Sequence, residues 1–268
     1  IASDKPDLTV DELFAAAKEQ VVLHYQEVIL YDLLYEIIDP DVWAAIILND
    51  RDILWKPKPT EKAVLPIEFI GAAGRFGHSM VLDSYGLNNS KTAQIDELFV
   101  MTGEGGFGGR SNKLPASHII DWLFFFDFKN EARIPSPSKN HANRISPHVH
   151  IVLKNVDTLP DPTVTNLAAR NLNRGSQLGL GSGQEVVQYV SKKYAKKLEA
   201  SGIEIRPLSF DELNLNQQSP PQDLLNTDGL RKFLTKTPLW YYLMAEACAN
   251  ETEDTGKLGP LGSLILAE

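Results

Sequence analysis

A chain of 268 residues, 43% hydrophobic and 23% charged, has the composition of an ordinary globular protein and enough length for one large domain or two small ones. Its 35 acidic and 26 basic residues leave a formal charge of −9, which argues against nucleic acid or an anionic membrane as the main partner. Cys248, the only cysteine, excludes an intramolecular disulfide, a thiolate zinc cluster and a redox Cys pair, and no apolar run reaches the roughly 20 residues that span a bilayer.

The first residues, Ile1-Ala2-Ser3-Asp4-Lys5-Pro6, carry neither an initiator methionine nor the apolar region of a signal peptide, so the chain reads as if cut from something longer. Thr9 and Glu12 have the spacing of a capping box. Leu13, Phe14, Ala17, Val21, Tyr25, Val28 and Asp32 follow at helical intervals, which predicts a long, mostly buried helix ending near Asp39-Pro40. Asp39-Pro40 then opens a shorter helix over 42–48. Pro57 and Pro59 mark 49–65 as a loop, and Pro66 starts a further helix over 67–82. Residues 86–118, rich in Gly, Asn and Ser, read as irregular around one apolar patch at 98–101. The apolar and aromatic stretch 119–128 fits a buried helical turn as well as a strand. A proline-rich stretch over 129–163 reads as extended or looped. A helical pattern returns at Val164, and a second capping box at Ser182 and Glu185 opens another helix. Thr237-Pro238 opens the last clear helix, from Leu239 to about Ala249. The fold class expected is mainly α, with much irregular connection.

Two segments stand out. Across 67–82, Phe69, Ala73, Phe76 and Met80 form one apolar stripe at helical spacing, while Gly71, Gly74, Arg75 and His78 share another face. Each glycine inside a helix costs about 0.5–1 kcal/mol relative to alanine, so close approach of a large flat body is one way to offset Gly71, Gly74 and Gly77. A haem meets these requirements: His78 would supply a nitrogen to iron, and Arg75 would face a propionate. A histidine packed where two helices cross tightly meets them too. In the second segment Asn171 interrupts an apolar stripe of Val164, Leu167 and Leu178, with Arg174 near the same face. A buried Asn needs partners, and a haem-ligating His needs an acceptor for its second ring N–H.

The string Glu68-Phe69 followed by Ala72-Ala73-Gly74-Arg75-Phe76-Gly77-His78-Ser79 resembles the proximal-histidine helix of animal haem peroxidases, in the peroxidase–cyclooxygenase superfamily. There a Phe-Arg-(Phe/Tyr)-Gly-His core marks the iron ligand. Gly74 stands where the family usually has Phe, a departure that bears on packing rather than on ligation. Cyclooxygenases hold a radical-forming tyrosine three positions before the histidine; Arg75 stands there here, which favours peroxidase chemistry. The stretch Leu167 to Gln184 is similar to the family's second signature, Asn-x-x-Arg-Gly before a Gly-Leu-Pro loop, with Gly181 in place of the proline. The resemblance implies that His78 binds haem iron, that Asn171 accepts the proton of His78 Nδ1, and that Arg75 and Arg174 anchor haem. His24-Tyr25-Gln26, Ile120-Asp121-Trp122 with Phe125-Phe126-Asp127, Thr237-Pro238-Leu239-Trp240-Tyr241 and Leu258-Gly259-Pro260-Leu261-Gly262 look like bacterial members. The similarity thus runs in order along nearly the whole chain.

A peroxidase also needs a distal histidine to move a proton on hydrogen peroxide and an arginine to stabilise developing charge. In the family both precede the proximal helix, with a Ca²⁺-binding loop and acidic residues that can ester-link haem. Nothing before Ile67 resembles those segments, and His24 belongs to a helix that follows the distal arginine. Residues 1–268 are therefore expected to be the C-terminal, proximal-side portion of a haem peroxidase domain, lacking the distal-side segment, which an upstream stretch or a second chain would supply. The implied activity is hydrogen-peroxide-dependent oxidation of small organic substrates or halides with a b-type or ester-linked haem; Ca²⁺ would belong to the complete protein. The alternatives are a fatty-acid oxygenase of the same superfamily and a non-catalytic haem-binding fragment. A cytoplasmic and a secreted bacterial protein both fit the single cysteine.

Other motifs carry less. Gly103-Glu104-Gly105-Gly106-Phe107-Gly108 matches Gly-x-Gly-x-x-Gly but lacks the preceding strand and following helix of a dinucleotide site. His148 and His150 alternate without a nearby carboxylate or Cys and read as an exposed or partly buried pair. Asn88-Asn89-Ser90 and Asn250-Glu251-Thr252 are glycosylation sequons of a kind that arises by chance. Lys192-Lys193 and Lys196-Lys197 read as a solvated basic face.

Overall fold

Thr9 and Glu12 form the predicted capping box: the Thr9 hydroxyl accepts from the Glu12 amide, and the Glu12 carboxylate accepts from the Thr9 amide at 2.8 Å. It starts helix α1, Val10–Glu27, in a computed structural model that describes residues 7–54, 64–102, 115–126, 139–154, 165–213, 228–249 and 256–268. The rod continues through a π-helical stretch, Val28–Leu33, into a last α-helical turn, Leu34–Ile37. Asp39 Oδ1 then caps α2, Pro40–Trp43, which widens into a π-helical Ala44–Leu48.

The expected burial of the first helix is not found. α1 has no buried residue, and Phe14, Val21 and Tyr25 are 71%, 69% and 66% exposed. An apolar stripe needs a surface to meet, and among the described residues the rod enters the core only at Leu34 and Ile37. The stretch 86–118 is more regular than its composition suggested. Strands β1, Ser84–Asn88, and β2, Lys91–Gln94, pair antiparallel and lead into helix α3, Ile95–Thr102. At the turn, Asn88 Oδ1 accepts from the Ser90 amide at 2.9 Å, so the first sequon serves as a side-chain-closed turn. The aromatic run after it makes one short 3₁₀ turn, Trp122–Phe124; Phe124 alone there is buried, whereas Trp122 and Phe126 are exposed.

The core is built around α4, Leu239–Ala249, whose sequence is apolar on every side and whose residues 239, 240 and 242–247 are buried. Around it pack Leu167–Gln177 (α5), Gly183–Lys193 (α6) and Pro260–Ala267 (α7). The final helix α7 lies beyond the last one predicted; Gly259 at its N-cap and Pro260 at N1 were the local signal for it. Two helical termini are clasped: the Gly183 amide donates to Thr237 O at 2.8 Å, and the Gln184 amide group bonds Thr237 Oγ1, the Thr237 amide and Leu234 O.

Glu246 is buried on α4, where its carboxylate accepts from the amides of Leu261 and Gly262 at 3.1 and 3.0 Å and so caps α7. Burial pushes its pKa up to about 7, and the two amide bonds offset this only in part. The folded state therefore holds this proton more tightly than the unfolded chain does. The group's contribution is most favourable below the ordinary value of 4.5, declines as pH rises toward 7, and is fully unfavourable above it. The difference amounts to about 3 kcal/mol. Thermal unfolding from pH 4.5 to 8 is expected to show a decline that Glu246→Gln flattens; parallel profiles for the two proteins would count against it.

Candidate active site

The segment predicted as one helix over 67–82 is two pieces. An α-helical Ile67–Gly71 ends at Ala72, whose φ of −139° and ψ of −75° leave the helical region. Ala73–Ser79 then winds as a 3₁₀ helix. Three residues per turn stack positions i and i+3, so Arg75 and His78 still share a face, although by a tighter geometry than predicted. Phe69, Phe76 and Met80 pack against the core and Ala73 lies in it, which is the expected apolar stripe.

The glycines do not form the bare face expected of them. A Cβ on Gly71 would lie 2.8 and 2.9 Å from the Cδ1 atoms of Leu180 and Leu178, so this glycine admits the turn after α5. A Cβ on Gly74 would sit 3.0 Å from Phe69 O and 3.1 Å from the Phe69 ring. Only Gly77 faces open space among the three.

Asn171, on α5, is fully buried and joins His78 to Arg75 across 93 and 96 residues of chain. Its Nδ2 lies 2.9 Å from His78 Nδ1, and its Oδ1 accepts from Arg75 Nη1 at 3.1 Å. Arg75 Nε donates to Ile70 O at 2.8 Å, and Trp240 Nε1 donates to Arg75 O at 3.4 Å, which ties the turn to α4. A guanidinium can only donate, so the oxygen of the Asn171 amide is the atom that must face Arg75. The amide NH₂ then faces His78, whose Nδ1 accepts, and the neutral ring carries its proton on Nε2. The resemblance implies Asn171 accepting from Nδ1–H, which is the direction that ligation through Nε2 needs.

His78 is half-buried, and among the described residues its Nε2 has no hydrogen-bond partner. Burial lowers its pKa, and the Arg75 charge lowers it further. Arg75 is itself lowered, first by burial and then by the charges of Arg174 and Arg170. Arg174 is exposed and makes no bond to His78 or Asn171. Behind the site, buried Ser79 donates to Phe76 O at 2.9 Å and accepts from the Ser146 amide at 3.3 Å. The Asn143 amide donates to Met80 O at 3.1 Å. The Ser146, Asn143 and Trp240 bonds had no signature in the sequence because each joins segments far apart along the chain.

Elsewhere, His24 stands exposed on α1 beside Glu27, and His118 Nε2 meets Glu97 at 3.2 Å. His150 pairs with Asp83, a carboxylate far away in sequence, while His148 is exposed. The Lys193 ammonium lies over the Tyr189 and Tyr194 rings on the basic face. The glycine-rich 103–108 segment, Asp127, Val164 and the sequon at 250–252 lie outside the described residues. A cavity of about 610 Å³ bounded by Leu54, Val186, Tyr189, Tyr194 and Ile265, and one of about 260 Å³ reaching Asn171 and Trp240, both leave His78 outside them. Among the described residues no three His, Cys, Asp or Glu side chains gather as a metal site, and no helix is long and apolar enough to cross a membrane. A haem iron does not need such a group, since the porphyrin provides four nitrogens and the protein one.

No curated protein and no solved structure matches the chain. Residues 1–215 match the family model described as animal haem peroxidase, a span that includes the His78 turn and all of α5. The chain belongs to the animal haem peroxidase family.

Proposed function

We propose that this chain provides the proximal side of a haem peroxidase, with His78 as the iron ligand. The observation that carries the reading is the buried Asn171 amide bonded to His78 Nδ1 while Nε2 meets no partner among the described residues, on a ring whose pKa burial lowers. A neutral imidazole held through Nδ1, with Nε2 turned away from protein partners, can ligate a metal once its proton shifts from Nε2 to Nδ1. Haem, when bound, supplies a redox centre that accepts oxidising equivalents from hydrogen peroxide and passes them to a small organic substrate or a halide.

The residues of this chain prepare that role in a definite way. Ligation through Nε2 requires its proton to move to Nδ1. Asn171 must then turn Oδ1 toward the ring, which puts its NH₂ toward Arg75, and two donors cannot face each other. Arg75 therefore has to release Asn171, and an acceptor such as a propionate is what would draw it away; Arg174 on α5 is the second cation for that pair of carboxylates. His78, Asn171, Arg75 and Arg174 are in this reading the residues that would hold a haem, b-type or ester-linked, on its proximal side. The distal histidine and arginine, and any Ca²⁺, belong in this reading to an upstream segment or a second chain.

Oxidation of guaiacol or iodide by hydrogen peroxide tests the activity. The chain with its distal side supplied is expected to turn over, and His78→Ala is expected to abolish this. Oxygenated products from an unsaturated fatty acid with oxygen, and none from guaiacol or iodide, would instead place the protein with the oxygenases of the superfamily.

A further inference from the structure

Arg170 stands one residue before Asn171 and four before Arg174, so Arg170 and Arg174 lie on one side of α5. The side chain is half-buried, and its Nη1 is shut away from solvent with no hydrogen-bond partner. It is the only side-chain atom in that condition among the described residues. The charges of Arg170 and Arg174 both bear on Arg75, and among the described residues none of the three guanidinia meets a carboxylate. A donor on a charged group left unsatisfied costs more than a neutral one, and three like charges add repulsion. A fold that keeps this arrangement beside a buried Asn is set up to receive an anion.

We propose that Arg170 is a third anion-binding residue of the site, donating through Nη1 to a carboxylate of the bound porphyrin, so that Arg75, Arg170 and Arg174 together receive both propionates. The identity of the anion rests on the haem reading above; the unmet donor does not. Two consequences follow for Arg170→Met, which keeps the length of the stem and removes the charge. The ligand-free variant unfolds at the same temperature as the native chain or higher, because an unsatisfied donor has gone. Its affinity for a porphyrin dicarboxylate falls about ten- to a hundredfold, the size of one charge-assisted hydrogen bond.

The test uses the full chain and three probes: haem, iron-free protoporphyrin IX and the dimethyl ester of protoporphyrin IX, followed by quenching of tryptophan fluorescence. Iron-free protoporphyrin keeps both carboxylates but offers His78 no metal, so it reads the arginines separately from the ligand. The native chain is expected to bind protoporphyrin more tightly than its ester, and Arg170→Met is expected to narrow that gap while leaving ester binding unchanged. Equal protoporphyrin affinity in the native chain and Arg170→Met would overturn the proposal. So would a lower unfolding temperature with equal losses for acid and ester, since that marks a structural role. His78→Ala titrated with haem tests the ligand reading by itself: loss of iron coordination there, with unchanged protoporphyrin binding by Arg170→Met, would sink the arginine proposal alone. A native chain that binds neither porphyrin would overturn both.

Discussion

Gly183→Ala is expected to destabilise the fold by about 3 kcal/mol or more, among the largest effects of any single methyl group in this protein. A Cβ at position 183 would fall 1.9 Å from Tyr242 Cγ, 2.2 Å from its Cδ2 and 2.4 Å from its Cβ. No flexible side-chain end is available to yield. Tyr242 is fully buried on α4, and its hydroxyl accepts from the Leu208 amide at 2.9 Å, so the ring is held at both ends. Burial pushes that phenol up to about 12, which fits a hydroxyl sealed from water. The helix start cannot retreat either, because the Gly183 amide is bonded to Thr237 O. Equilibrium denaturation by urea checks this; a midpoint equal to that of the native chain would show that α6 and α4 do not approach as described.

The second large effect concerns Asn171. Its replacement by alanine removes the one group bonded to His78 Nδ1 and leaves Arg75 Nη1 without its acceptor. Loss of a residue that orients a metal-bound histidine typically costs 10–100-fold in metal affinity or activity, and a haem affinity weakened by about that factor is expected here. Asn171→Asp should behave differently. A carboxylate accepts on both sides, so it can take the proton of Nδ1 and the Arg75 donor together, which removes the conflict the amide faces. The aspartate variant is expected to keep haem affinity and to lower the iron reduction potential, because a more basic imidazole favours the oxidised metal. Haem titration with potentiometry distinguishes the two; equal weakening by alanine and aspartate would remove Asn171 as a partner of the ligand.

What could be read from the sequence was local or carried by a motif. The capping boxes at Thr9 and Ser182, the Asp39-Pro40 start and the Thr237-Pro238 start each formed, because a cap needs only the four residues that make it. The pairing of His78 with Asn171 was legible through the two motifs, whereas spacing alone favoured a packed histidine. The break at Ala72 was hidden: the apolar stripe across 67–82 is equally regular on paper whether the chain winds as α or as 3₁₀. Burial of the first helix was overread, since Phe14 and Val21 at helical spacing say which face is apolar and nothing about what covers it. The β-hairpin was missed because its register depends on Asn88 closing the turn with its side chain. The direction of the Asn171 amide was out of reach for a similar reason. It is set by Arg75, whose proximity depends on how the 3₁₀ turn packs against α5.

The claim on which the account depends is that His78 Nε2 binds iron, and the absorption spectrum of the haem-loaded chain tests it directly. The native protein is predicted to show the Soret and visible bands of a histidine-ligated haem, His78→Ala to lose them, and added imidazole to restore them by filling the space left by the side chain. A His78→Ala spectrum identical to the native one, and indifferent to imidazole, would contradict it.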